Sequence, residues 1–311
     1  MHAIDIFNRD FNYEIIPVKT DDQGVLPSDF EEMLEKYPPN GAKDGNRYSG
    51  IMYFQTAFAN PGCWMMPKKR LVEMEKMAKK HNVLIVVDDV YSFTSFADLN
   101  DDESEECDHS FPYLPSAATA DNSLSENIVT LGSISKLAGP GLRFGWVVAP
   151  NMVLKALDYS GVITSSGCTN QYTASLVGEM IADGSADVLT DMTRKELKKR
   201  LATAERIFKA HLPGNVKYHV PQGGYFAWIE LPNLPTYGNV KNPTSLVDHL
   251  VQRFAVRVQD GSACYAPNRR EKYESTTLRV SLTVLPNREL SVALRNLSEG
   301  ICDYLGFKPT V

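Results

Sequence analysis

The feature of the sequence that most constrains its fold is a regular alternation of strand-like and helical segments in the first half of the chain. Runs rich in β-branched and aromatic residues occur there at residues 11–20, 50–58, 83–91, 127–135 and 144–150. Between the second and third runs, residues 67–81 repeat Leu71, Met74 and Met77 at helical spacing. Strands that alternate with helices predict an α/β fold with a mostly parallel, doubly wound sheet.

The second half of the chain predicts a smaller α+β domain. A helical pattern covers residues 176–210 and includes one long amphipathic piece. Strand-like runs follow at residues 223–232, 255–265 and 277–283. A helix is predicted between the first two of these runs, with a start at Asn242–Thr244. We therefore expect a large domain at residues 1–205 and a small C-terminal domain at residues 206–311.

Composition and charge exclude several classes of protein. With 43% hydrophobic and 23% charged residues the chain has the balance of a globular protein, which excludes disorder and a collagen-like fold. A net charge of -6 offers no basic surface, so we expect no nucleic-acid partner. No run approaches the roughly 18 consecutive apolar residues of a membrane span, and no secretion signal is recognisable, so we expect no membrane partner. The scattered cysteines, without CxxC spacing, predict reduced thiols, a cytoplasmic location and no zinc site.

Two carboxylates lie at the end of the third strand-like run. Asp88 and Asp89 close the segment VLIVVDD, and Tyr91 follows three residues after Asp88. In an open α/β sheet, side chains at the carboxyl ends of strands face the crevice where ligands bind. Paired carboxylates could also ligate a divalent metal, but matching carboxylates at other strand ends are missing. We expect no metal, and we interpret the acidic segment at residues 98–127 as solvated surface.

A lysine closes the fourth strand-like run, in the segment TLGSISKLAGPGLRFGW. Ser133 and Ser135 lie just before Lys136, and Arg143 follows seven residues after it. Because an ammonium group resists desolvation, a lysine at a strand end calls for a chemical reason. A Schiff-base lysine is the most economical one, since desolvation frees the amine as a nucleophile. The serine hydroxyls and the guanidinium would suit a phosphate.

Taken together, these segments resemble the class I/II aminotransferases of fold type I, which use pyridoxal phosphate (PLP). The resemblance rests on DDVY followed by SISKLAGPGLRFGW, and on NPGC, GGYFAW and LRVSLT in the order of three further family signatures. It runs over essentially the whole chain. The subgroup that the chain resembles handles 2-aminoadipate, kynurenine or aromatic amino acids.

The resemblance implies four residues at the reacting end of the cofactor. Lys136 would form the Schiff base and later move the proton between the substrate α-carbon and the cofactor. Asp88 would pair with the pyridine nitrogen and keep it protonated, so that the ring can accept electrons. Tyr91 and Asn60 would hydrogen-bond the phenolic oxygen of the ring.

The same resemblance implies three anion ligands and a partner. Ser133 and Arg143 would hold the cofactor phosphate, and Arg279 would bind the α-carboxylate of the substrate through a bidentate contact. The family's sites lie at a twofold interface, which implies a homodimer.

The chain departs from the family pattern in two places. The family usually has threonine and glycine after Asn-Pro, whereas Gly62 and Cys63 follow here. Family members also carry a further segment before the point where this chain starts. That segment includes a glycine-containing loop that cradles the phosphate and an aromatic residue that stacks on the ring. In the family's sheet, one strand that is missing here would also lie between the strands predicted at residues 11–20 and 50–58. We therefore expect a shortened product, a fragment or a truncated gene model.

The function predicted on these grounds is PLP-dependent transamination between an L-amino acid and a 2-oxo acid. A PLP-dependent lyase on the same fold is the alternative within the same chemistry. A catalytically impaired homologue is the alternative from another class, as a regulatory or interaction protein or as the effector domain of a transcription regulator. Without the phosphate-cradling loop, we expect the chain by itself to hold PLP weakly and to transaminate poorly.

Overall fold

A computed structural model gives the fold. It describes residues 6–7, 9–10, 14–38, 48–97, 99, 125–166, 170–232, 245–266 and 276–307. These residues form two compact units. The parallel-sheet unit consists of the described residues of Val18–Ala59 and Trp64–Lys195. The antiparallel-sheet unit consists of those of Met1–Pro17, Asn60–Cys63 and Glu196–Val311. The domain division at residues 205 and 206 stays a prediction, and most of the acidic segment lies outside the described residues.

Four strands form the main sheet of the parallel-sheet unit. A short antiparallel pair, β1 (Thr20–Asp21) and β2 (Gly24–Val25), precedes helix α1 (Pro27–Lys36). The sheet strands follow in chain order as β3 (Gly50–Phe54), β4 (Val83–Asp88), β5 (Ile128–Ser133) and β6 (Gly145–Val148). The first three are parallel, and β6 runs antiparallel to β5. The predicted α/β fold with a mostly parallel sheet is confirmed.

Helix α2 (Lys68–His81) connects β3 to β4 and packs on the sheet. Its predicted apolar positions, Leu71, Met74 and Met77, are all buried. They belong to a cluster that also contains Ile85 and Val87 of β4. Full burial of a side chain of this size stabilises the fold by about 1.5–3 kcal/mol. The cluster therefore fixes β4, whose last residue is Asp88.

The strand predicted at residues 11–20 is wrong for its described part. Residues 14–19 have no regular secondary structure, and only Thr20 belongs to a strand. Pro17 has no N–H to donate to a ladder. The N–H of Lys19 donates to Asp29 Oδ2 of α1, with N and Oδ2 2.7 Å apart. Apolar content alone therefore misleads here, because the backbone is bonded to a helix side chain instead of a neighbouring strand.

Helices fill the middle of the chain. They are α3 (Asn151–Asp158), α4 (Gly161–Ser166), α5 (Gln171–Ala182) and α6 (Ser185–His211). The predicted helical stretch at residues 176–210 is confirmed except for a break between α5 and α6. Gly184 lies in this break with φ +79°, a conformation that glycine adopts without a steric penalty.

The antiparallel-sheet unit contains the last elements of the chain. They are β7 (Lys217–His219), β8 (Phe226–Glu230), α7 (Leu246–Phe254), β9 (Gln259–Asp260), β10 (Thr277–Ser281) and α8 (Asn287–Tyr304). The strands pair antiparallel in the order β7-β8-β10-β9. Ser245 caps α7 by accepting a hydrogen bond from the N–H of Asp248, and the predicted start at residues 242–244 lies outside the described residues. The strand predicted at residues 255–265 is reduced to β9.

Within the described part of the chain, no helix combines the length and the apolar character needed to cross a membrane.

Candidate active site

Asp88 lies at the carboxyl end of β4, half-buried, with two donors on one carboxylate oxygen. The Tyr53 hydroxyl donates to Asp88 Oδ2 with the two oxygens 2.6 Å apart. Gln55 Nε2 donates to the same oxygen at 3.0 Å. The parallel register places Tyr53 beside Val86, so that Asp88 is its diagonal neighbour on the same face of the sheet. Among the described residues, no donor is recorded at Oδ1.

Tyr91 and Lys136 lie beyond the ends of the neighbouring strands β4 and β5. Tyr91 is almost fully buried, and its carbonyl accepts a hydrogen bond from Thr94 Oγ1 at 2.6 Å. Lys136 belongs to the 3-10 turn Ile134–Lys136 that directly follows β5. Its Nζ lies 5.6 Å from the centroid of the Tyr91 ring. The structure therefore brings these two predicted residues together at the edge of the sheet that carries Asp88.

The predicted phosphate ligands lie in the segment that follows β5. Ser133 Oγ accepts a hydrogen bond from the N–H of Ser135 at 3.2 Å. Arg143 is exposed, with φ +50°, and its Nη1 donates to the carbonyl of Pro140 at 3.2 Å. Asn170 Nδ2 donates to the carbonyls of Leu142 and Arg143, at 2.9 and 3.0 Å. Asn170 thus fixes the backbone on which Arg143 is carried.

Asn60 and Arg279 meet within the antiparallel-sheet unit. Arg279 Nη1 donates to Asn60 Oδ1 at 2.8 Å, and its guanidinium carbon lies 4.4 Å from the centroid of the Phe226 ring. Among the described residues, Arg279 Nε is buried without a hydrogen-bond partner. A buried donor without a partner is costly, and a guanidinium fork matches a carboxylate. The chemistry of this donor set therefore suits an anionic ligand.

The turn that carries Asn60 is held by a buried thiol. Cys63 has φ +61°, in the region that favours glycine, at the place where the family usually has glycine. Its Sγ lies 3.2 Å from the carbonyl oxygen of Pro61 and 3.3 Å from that of Phe226, so the single S–H is shared between the two acceptors. Burial raises the pKa of the Cys63 thiol to about 12, while the nearby charge of Arg279 opposes the shift. The thiol therefore remains a neutral donor that links the turn to β8.

Asp89 differs from its neighbour Asp88 in its surroundings. Its side chain is buried, and among the described residues Oδ1 has no hydrogen-bond partner. Burial raises the pKa of Asp89 to about 6, and the charge of Asp88 adds to the shift while hydrogen bonds from Ser92 oppose it. No group of three or more His, Cys, Asp or Glu side chains suited to a metal ion occurs among the described residues. Asp89 lies in the loop after β4 and is bonded to it through Ser92.

Tyr53 and Gln55 are the site residues that the sequence reasoning missed. Tyr53 lies in β3, the strand next to β4, and Gln55 directly follows that strand. Because they are two positions apart, they point to the same face of an extended segment. This alternation was a usable signal, since polar side chains at the end of one strand can reach those of the next.

The fold, with a carboxylate and a lysine at the ends of adjacent parallel strands, is that of the PLP-dependent transferases of fold type I, whose cofactor is pyridoxal phosphate. The chain belongs to the family of class I and II aminotransferases, which matches it over residues 7–297.

Comparisons with individual proteins cover most of the chain. The chain is 28% identical over 280 residues to an uncharacterized protein of Saccharomyces cerevisiae, covering 89% of this chain and 60% of that protein. It is 23% identical over 288 residues to aromatic-amino-acid aminotransferase 1 of Thermococcus litoralis, covering 93% of this chain and 61% of that protein. It superposes on Pyrococcus horikoshii kynurenine aminotransferase, solved with PMP, with a TM-score of 0.75 and 21% identity. The match covers 97% of this chain and 67% of that structure's chain. The chain thus spans about three fifths of the two curated relatives.

Proposed function

We propose that the chain belongs to a PLP-dependent aminotransferase that moves an amino group between an L-amino acid and a 2-oxo acid. The observation that carries the proposal is the Asp88 carboxylate, which has both of its recorded donors on one oxygen and lies at the strand end next to that of Lys136. Family membership over residues 7–297 supports the same activity.

The residues present fit the cofactor. Asp88 would hold the pyridine nitrogen in its protonated form through the carboxylate, and Tyr91 would bind the phenolic oxygen. Asn60 would bind that oxygen as well, since its Oδ1 accepts from Arg279 and the amide is thereby oriented. When bound, the cofactor supplies an electron sink for the negative charge that develops at the substrate α-carbon.

The anions would be held by hydroxyl and guanidinium groups. Ser133 and Arg143 would bind the phosphate. Arg279 would bind the substrate α-carboxylate, with each charge-assisted hydrogen bond contributing about 1.5–3 kcal/mol. The buried Nε of Arg279 supports this assignment, because it has no partner among the described residues.

Lys136 would act as the general base and acid. Its amine, on a half-buried residue, would take up the proton that leaves the substrate α-carbon and deliver it to the cofactor. A positioned group of this kind contributes about 10²–10⁴-fold to the rate. The turn after β5 supports the role, because it holds the amine near Tyr91 at the edge of the sheet.

The test is to locate the cofactor chemically. The protein is incubated with PLP, reduced with borohydride and digested, and the modified peptide is identified by mass spectrometry. We expect the adduct on Lys136, and loss of the adduct and of the visible absorption band in Lys136→Ala. Lys155→Ala, at an exposed position of α3, is the matched control and should retain both. An adduct on another lysine in the unmutated chain would refute the assignment.

The proposal also includes the amino donor, the oligomeric state and the cellular location. The names of the aromatic-amino-acid and kynurenine aminotransferases support an aromatic or related amino donor. We also propose a cytoplasmic homodimer, on the basis of the scattered cysteines and of the family's two-fold arrangement. Light scattering that found only monomers of the complete protein would contradict the dimer.

A further inference from the structure

Asp88 is held by two side chains that the family assignment does not mention. Tyr53 and Gln55 both donate to Oδ2, at 2.6 and 3.0 Å. Both donors approach from the β3 side, so the carboxylate is held from one direction. A hydrogen bond to a carboxylate restricts its rotation.

Tyr53 is suited to donate over the whole working range of pH. Burial raises the pKa of the Tyr53 phenol well above its ordinary value, and the charge of Asp88 raises it further. The phenol therefore stays neutral and keeps its proton for the carboxylate. Gln55 carries no charge at any pH, so neither donor changes its role on titration.

We infer that Tyr53 and Gln55 are positioning residues, which fix the rotation of the Asp88 carboxylate and turn its Oδ1 toward the pyridine nitrogen of the cofactor. This inference rests on the proposed function, since it assumes PLP as the ligand. Two donors on Oδ2 leave Oδ1 as the oxygen available for a third donor. A carboxylate that loses these bonds rotates more freely, so that its hydrogen bond to the pyridine N–H weakens and the protonated ring is stabilised less.

The variants for the test remove the donors and keep the shapes. Tyr53→Phe deletes the hydroxyl and keeps the ring, and Gln55→Met keeps the length of the side chain without its N–H groups. Tyr48→Phe is the matched control, because the Tyr48 hydroxyl donates to the carbonyl of Glu126 in the same unit and away from Asp88. Thermal unfolding of each variant reports any loss of stability.

The first measurement needs no cofactor. The chain is labelled with [13Cζ]tyrosine, and the Tyr53 resonance is assigned by its absence in Tyr53→Phe. We expect this resonance to move when Asp88 is replaced by Asn, while the Tyr48 resonance stays in place. A Tyr53 resonance that does not respond to Asp88→Asn would overturn the inference.

The second measurement uses PLP labelled with 15N in the ring. We expect Tyr53→Phe and Gln55→Met each to weaken PLP binding by about tenfold, and the double variant to move the ring 15N resonance toward that of the unprotonated ring at neutral pH. A purely structural role would lower the unfolding temperature without moving that resonance. An unchanged 15N resonance in the double variant would overturn the inference. If PLP binding is the same with and without the Lys136 amine, it is the proposed function that fails.

Discussion

The proposed role of Arg279 in binding the substrate carboxylate is tested most directly by replacing it with lysine. The change keeps a positive charge but removes the planar fork, the stacking on Phe226 at 4.4 Å and the hydrogen bond to Asn60. A lysine retains one contact to a carboxylate where the guanidinium makes two. The loss is therefore at least one charge-assisted hydrogen bond, worth about 1.5–3 kcal/mol, or about 10- to 150-fold in kcat/KM.

The assay is the rate of amino-group transfer from an amino acid, compared with the rate from the corresponding amine, which lacks the carboxylate. We expect the variant to lose kcat/KM for the amino acid and to leave the rate with the amine nearly unchanged. Arg253→Lys is the matched control, since Arg253 is exposed and pairs with Asp303 in the same unit. Its parameters should equal those of the parent chain.

Equal losses for the amino acid and the amine would refute the carboxylate assignment. Such a result would mean that Arg279 supports the Asn60 turn and does not bind substrate. The comparison of the amino acid with the amine separates the two cases, because the loss of the hydrogen bond to Asn60 and of the stacking on Phe226 lowers the unfolding free energy in both.

Two further predictions concern stability. Asp89 has a pKa raised to about 6, so the penalty for burying its charge is absent below the unfolded pKa near 4, grows between pH 4 and 6, and is fully present above 6. Asp89→Asn should therefore increase the unfolding free energy more at pH 8 than at pH 4. Urea unfolding curves that show the same change at both pH values would contradict this. Met74→Ala should cost about 2–5 kcal/mol in urea unfolding, since Met74 is fully buried, whereas Met152→Ala at an exposed position should change little.

Local patterns were enough to predict the strands that carry the main site. The apolar run before Asp88 and the run before Lys136 each contain their own evidence for a strand, and parallel neighbours end at the same edge of a sheet. The run at residues 11–20 has a similar composition, but Lys19 is bonded to Asp29 of α1. An apolar composition indicates that a segment is buried, but it does not indicate which groups accept hydrogen bonds from the backbone of that segment.

Contacts between distant residues were beyond the reach of the sequence. Tyr53 and Asp88 meet because of the register of β3 on β4, which no local pattern specifies. Asn60 and Arg279 were both predicted as site residues, but their hydrogen bond joins positions 219 apart in the chain. Asn60–Cys63 belongs to the antiparallel-sheet unit, although the residues on either side of it belong to the parallel-sheet unit. No local sequence pattern indicates this division.

The substitution of Cys63 for the family's glycine can be explained from these long-range contacts. A residue other than glycine at φ +61° is strained, and the strain persists only where surrounding bonds determine the backbone. Here the thiol shares its proton between the carbonyls of Pro61 within the turn and Phe226 on β8, and Phe226 also lies under the guanidinium of Arg279. The same β8 residue therefore contacts both the turn that carries Asn60 and the arginine that binds Asn60. Loss of glycine at this position is offset by a side chain that links the turn carrying Asn60 to β8, the strand that also contacts Arg279.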